Sequence, residues 1–90
     1  GVFDDQHHLF RQLHIELPPG ALLVATTDGV TESRSPDGEF FGVERFLETA
    51  TELAEAPPQT IVEEMIARAT AHAGERGLHD DVAVLAARFP

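Results

Sequence analysis

Two acidic points in this 90-residue chain stand where carboxylates can do more than solvate a surface. Asp28-Gly29 closes the apolar run Ala21–Thr27, and Asp80-Asp81 immediately precedes a second apolar stretch, Val82–Phe89. If the two runs are strands paired antiparallel, the end of one and the start of the other share an edge. Neighbouring strands lie about 4.8 Å apart. Two carboxylates about 4 Å apart repel by about 4 kcal/mol at an effective dielectric near 20. A divalent cation is the economical counter-charge, and hard carboxylate oxygens favour Mg²⁺ or Mn²⁺ over softer metals. The plainer reading of Asp28-Gly29 is a turn that ends a strand. A second acidic point at a second strand boundary weakens it.

The rest of the composition narrows the chemistry. Every basic side chain is an arginine, at positions 11, 34, 45, 68, 76 and 88, and only Arg34 and Arg76 fall in the loops near the two acidic points. Without lysine there is no phosphate-loop lysine, no Schiff base, and no partner for an aspartyl-phosphate nucleophile, whose expected position is Thr26. The spacing of acids after Asp28 does not make a calcium loop. Cysteine is absent, which removes thiolate metal sites, disulfides and a cysteine nucleophile together. His7, His8, His14, His72 and His79 include no i, i+4 pair; His79, beside Asp80, is the best placed of them as a ligand. A formal charge of −10 argues against a nucleic-acid groove or an anionic membrane as partner. No apolar run approaches the roughly 18 residues of a membrane span, and no leader pattern opens the chain, so a cytoplasmic segment is expected.

These side chains need elements to place them. Leu9, Leu13, Ile15 and Leu17 alternate with Gln12, His14 and Glu16, which predicts a first strand ending at the Pro18-Pro19-Gly20 turn. Ala21–Thr27 is apolar without alternation, as suits a strand covered on both faces. Residues 30–42 are rich in turn formers and read as a loop, with Phe40 and Phe41 pinning it to the core. Val43, Phe46, Leu47, Ala50, Leu53 and Ala54 recur at helical spacing. Pro57-Pro58 breaks that pattern. Thr60 and Glu63 suggest a capping box for a second helix, with Ile61, Val62, Met65, Ile66 and Ala69 as its buried stripe and Gly74 as its end. Val82–Phe89 then makes a third strand. The expectation is an α+β segment with about three antiparallel strands and two helices, and no repeat or linker. The glutamates between the helical apolar positions read as solvated faces.

Four blocks in this order resemble one family: Leu17–Val24, Thr27–Glu32, Ser35–Gly42 and Asp80–Ala83 are similar to the C-terminal part of SpoIIE-like phosphatase domains, bacterial members of the metal-dependent (PPM-type) serine/threonine phosphatases. The resemblance runs through nearly all of the chain. It implies part of an α-β-β-α sandwich with two Mn²⁺ or Mg²⁺ ions at one end, Asp28 and Asp80 ligating one of them. Asp81 would orient Asp80 from the second shell, with Gly29 as its counterpart beside Asp28. A solvated acid is the competing reading of Asp81. The reaction implied is attack of water on a phosphoserine or phosphothreonine phosphorus, assisted by the two metals, with no protein nucleophile. Family domains are about twice this long, so residues 1–90 are expected to be the C-terminal half of one domain. The acid that bridges both metals would come from upstream, and the segment alone would be inactive. Its strands would then present uncovered Leu and Val to the upstream half or to a second chain. The expected substrates are phosphorylated anti-sigma-factor antagonists; the alternative is a non-catalytic regulatory or binding module with the same fold.

Overall fold

The computed structural model describes residues 10–17, by backbone alone, residues 20–78 and residues 82–90. Strand β1 (Phe10–Leu17) and strand β2 (Gly20–Thr27) pair antiparallel, from Phe10↔Thr27 to Leu17↔Gly20. Strand β3 (Val84–Phe89) pairs antiparallel along the other side of β2, from Ala21↔Phe89 to Thr26↔Val84. The order β1-β2-β3 puts β2 in the centre. The Pro18-Pro19 turn and the start of the expected first strand at Leu9 lie outside the described residues, as do His7, His8 and residues 79–81.

Between β2 and β3 run the one-turn helix α1 (Asp28–Thr31), helix α2 (Gly42–Glu52) and helix α3 (Pro58–Ala73), followed by a 3₁₀ turn over Gly74–Arg76. The chain is thus α+β, with a third, very short helix that the turn-former density had concealed. Helix α1 forms despite that density because its carbonyls find local donors. Glu32 N–H bonds Asp28 O at 2.8 Å, and the Ser33 hydroxyl bonds Val30 O at 2.8 Å.

The core forms where the helices meet one face of the sheet. Leu22 and Val24 of β2 join Val30, Phe41, Phe46, Ala50, Ile61, Met65 and Ala69, with Val84 and Ala86 of β3 at its margin. On α3 the buried positions Ile61, Met65, Ala69 and Ala73 recur every four residues, one stripe of a helix. On α2 the expected stripe is only partly correct. Phe46 and Ala50 are buried, but Val43 and Leu47 are exposed and Thr49 takes a buried place instead. Helix α2 meets α1 and α3 through the Phe46–Ala50 side, so the i, i+4 pair Val43 and Leu47 falls on the outer flank. Phe41 likewise enters the core whereas Phe40 stays exposed, so only one of the two pins the loop.

Two further local expectations change. Helix α3 starts at Pro58, without a side-chain cap, so Thr60 lies inside its first turn and forms no capping box. Proline fits that turn because it lacks the N–H that would go unpaired there. Gly74 does end the helix, at φ +57°, a conformation that glycine adopts without a Cβ penalty. Near the far end of the sheet the Arg88 guanidinium donates to Ala54 O (2.7 Å) and Ala56 O (2.8 Å), tying β3 to the end of α2.

Among the described residues, the other face of the sheet carries apolar surface with no helix against it. Register puts Leu85 and Phe89 opposite Ala25 and Ala21, on the side away from Leu22 and Val24. Leu85 is 52% and Phe89 49% exposed.

Candidate metal centre

The C-terminal end of β2 is fastened to the approach of β3 by hydroxyl and backbone bonds. Thr27 N–H donates to Ala83 O at 3.0 Å, and Ala83 N–H donates to the Thr27 hydroxyl oxygen at 3.0 Å. The buried Thr26 hydroxyl reaches the same Ala83 oxygen at 3.1 Å. These threonines matter because a buried strand end next to a polar rim leaves main-chain groups that must find partners. Asp28 follows at once, half-buried as the first residue of α1, and Gly29 behind it is buried. One rim therefore carries Asp28 and Ala83, and Ala83 stands three residues after Asp80 in the chain.

Asp80 and Asp81 themselves, with His79, lie outside the described residues. Among the described residues no group of three or more His, Cys, Asp or Glu gathers. The carboxylate of Asp28 fits Mg²⁺ or Mn²⁺ in kind, being a hard oxygen donor. One carboxylate does not suffice in number, so the described residues supply a part of a centre. His72, one of the histidines without an i, i+4 partner, packs into the fold instead. Its Nε2 lies 2.8 Å from Glu39 O and its ring stands edge-on to Phe41 at 5.7 Å.

The loop after α1 is a built structure. Gly38 N–H bonds Ser35 O at 2.8 Å across the Pro36-Asp37 tip, Gly38 taking φ +89°, and Arg34 and Phe40 bridge its base. Arg45 on α2 clamps the returning limb, donating to Phe40 O (2.8 Å), Phe41 O (3.0 Å) and the Glu39 carboxylate (2.5 Å). The hydrogen bond from Arg45, reinforced by its charge, holds the Glu39 carboxyl below the usual carboxylate range. A carboxyl lowered in this way stabilises the fold above its unfolded-state value, and that contribution is lost as pH falls through the lowered one. Replacing Arg45 with Gln is expected to return the Glu39 titration toward the usual value and to remove this loop's share of acid sensitivity. A ¹³C NMR titration of the Glu39 carboxyl checks it, and an unmoved midpoint would refute the clamp.

The Thr26 and Thr27 contributions were not read from the sequence. The signal was present, since two hydroxyl residues end an otherwise apolar strand, but which backbone group they serve depends on the pairing of β2 with β3.

The family model for Stage II sporulation protein E (SpoIIE) matches residues 1–90. The chain belongs to the SpoIIE family. It is also similar to Protein IcfG of Synechocystis sp. (strain ATCC 27184 / PCC 6803 / Kazusa), 51% identical over 37 residues, a match covering 41% of this chain and 6% of IcfG. No solved structure matches. Among the described residues no helix is long and apolar enough to cross a membrane.

Proposed function

We propose that this chain is the C-terminal half of a cytoplasmic, metal-dependent phosphoserine/phosphothreonine protein phosphatase domain that acts in bacterial signalling, with phosphorylated anti-sigma-factor antagonists as substrates. Family membership over residues 1–90 supports the class. The observation that carries the reading is the pair of Thr27–Ala83 hydrogen bonds, which joins the strand end bearing Asp28 to the segment that follows Asp80-Asp81.

In this reading Asp28 and Asp80 hold one of two Mn²⁺ or Mg²⁺ ions, and Asp81 and Gly29 support them from behind. The ions would lower the pKa of the attacking water and compensate the charge on the phosphoryl oxygens. The chain's own task is to present oxygen donors at a fixed spacing. Helix α1 fixes Asp28 through main-chain and hydroxyl bonds, and the Thr26 and Thr27 hydroxyls keep the two strand ends in register. The remaining ligands come from an upstream half, and a second sheet from that half covers Leu85 and Phe89 to complete the α-β-β-α sandwich. The exposure of those two side chains supports this.

The test is phosphate release from a phosphoserine peptide by the full-length protein. Activity is expected with added Mn²⁺, and a chelator should lower it at least 100-fold, with recovery on restoring the metal. Turnover that persists at full rate in chelator overturns the metal-dependent reading, and none with either Mn²⁺ or Mg²⁺ overturns it in favour of a non-catalytic module.

A further inference from the structure

Five of the six arginines lie among residues with described side chains, and three of them are occupied. Arg45 holds Glu39, Arg68 holds Glu52 and Glu64, and Arg88 caps the carbonyls of Ala54 and Ala56. Arg34 and Arg76 differ. Both are exposed and both line one open cleft of about 620 Å³, together with Glu32, Phe40, Gly77 and Leu78. Among the described residues neither has a carboxylate within ion-pair distance, although the chain carries sixteen acids. Among the described residues Arg76 makes only a long 3.5 Å bond to Pro36 O.

Arg34 is also pre-positioned. Its guanidinium carbon lies 4.7 Å from the centroid of the Phe40 ring, and Phe40 is held in turn by Arg45 through its carbonyl. Stacking occupies the face of a guanidinium and leaves its in-plane N–H donors available, in the fork that matches a carboxylate. Phe40 and Leu78 add apolar wall beside these donors. Glu32, which also lines the cleft, stands four residues after Asp28. Its carboxylate repels an anion on its own side of the cleft, which leaves Arg34 and Arg76 as the groups that attract one.

We propose that the Arg34–Arg76 cleft binds an acidic side chain flanking the phosphorylated residue of a protein substrate, and so selects among phosphoproteins. The inference rests on the phosphatase reading for what brings the peptide there. The overall charge of −10 does not oppose it, because screening at physiological salt limits exposed charges to about 8 Å and the nearest cations then decide.

The test measures binding in chelator, so it needs no turnover and stays informative if the enzymatic reading fails. Two fluorescent phosphoserine peptides are compared on the full-length protein, one with Asp and Glu beside the phosphoserine and one with Asn and Gln there. The acidic peptide is expected to bind at least 10-fold more tightly. That advantage should shrink at high salt, survive in part in Arg34→Lys, and vanish in Arg34→Gln/Arg76→Gln. Equal binding of the two peptides to the wild-type protein, or an acidic preference that persists in the double variant, overturns the proposal. So does displacement of both peptides by inorganic phosphate alone, which would assign the cleft to the phosphoryl group itself. The wild-type peptide comparison stands even if the double variant proves unstable.

Discussion

Asp28→Ala is expected to lower kcat/KM on a phosphopeptide at least 100-fold, about 2.7 kcal/mol in barrier, while the protein stays folded. In the proposed metal-ligand reading, the loss follows from removing a hard oxygen donor to the cation that would assist attack on the phosphorus. The fold should survive because the bonds seen to close α1 among the described residues run through main-chain and hydroxyl groups that the substitution leaves in place. Glu32 N–H still has Asp28 O at 2.8 Å, and the Ser33 hydroxyl still has Val30 O. Asp80→Ala should act alike, since the Thr27–Ala83 bonds that join the two strand ends belong to neither residue. Turnover at saturating Mn²⁺, with circular dichroism as the folding control, decides the matter. Wild-type turnover in both variants would dismiss the site.

The second large effect concerns stability. Phe46 is 2% exposed at the centre of the cluster that joins α2 to α3 and the sheet. Phe46→Ala should cost about 3–5 kcal/mol, the lost transfer energy of the ring plus the cavity left behind. For the complete domain, about twice this length, that lowers the melting temperature by roughly 6 °C or more. Leu47→Ala, one residue on, should cost less than about 1 kcal/mol, because Leu47 is 38% exposed on the outer flank. Urea denaturation of both variants makes the comparison. Equal losses would show that α2 is seated with a different face inward.

That contrast also shows where reading the sequence reaches its limit. Phe46 and Leu47 are equally apolar neighbours at equally good helical spacing, and only the packing of α2 on α3 decides which is core. Thr60 and Glu63 fit a capping box, yet Pro58 starts the helix earlier because proline suits a first turn better than a second. The turn-rich stretch after Asp28 hides a one-turn helix, since Ser33 can close it locally by a bond that composition does not reveal.

The sequence by itself determined the elements whose signal is local: the second apolar strand, two amphipathic helices, a glycine stop at Gly74, and a family signature carried by blocks of fixed order. Its composition also determined that these 90 residues supply no cysteine, lysine or phosphate-loop chemistry of their own. Tertiary structure decided what depends on chain segments far apart in sequence. It set Ala83 on Thr27, left Leu85 and Phe89 on an open face, and turned Arg34 and Arg76 into one cleft. Such juxtapositions come from strand register and helix docking, whose energies are summed over the whole core and so leave no mark on any short stretch of residues.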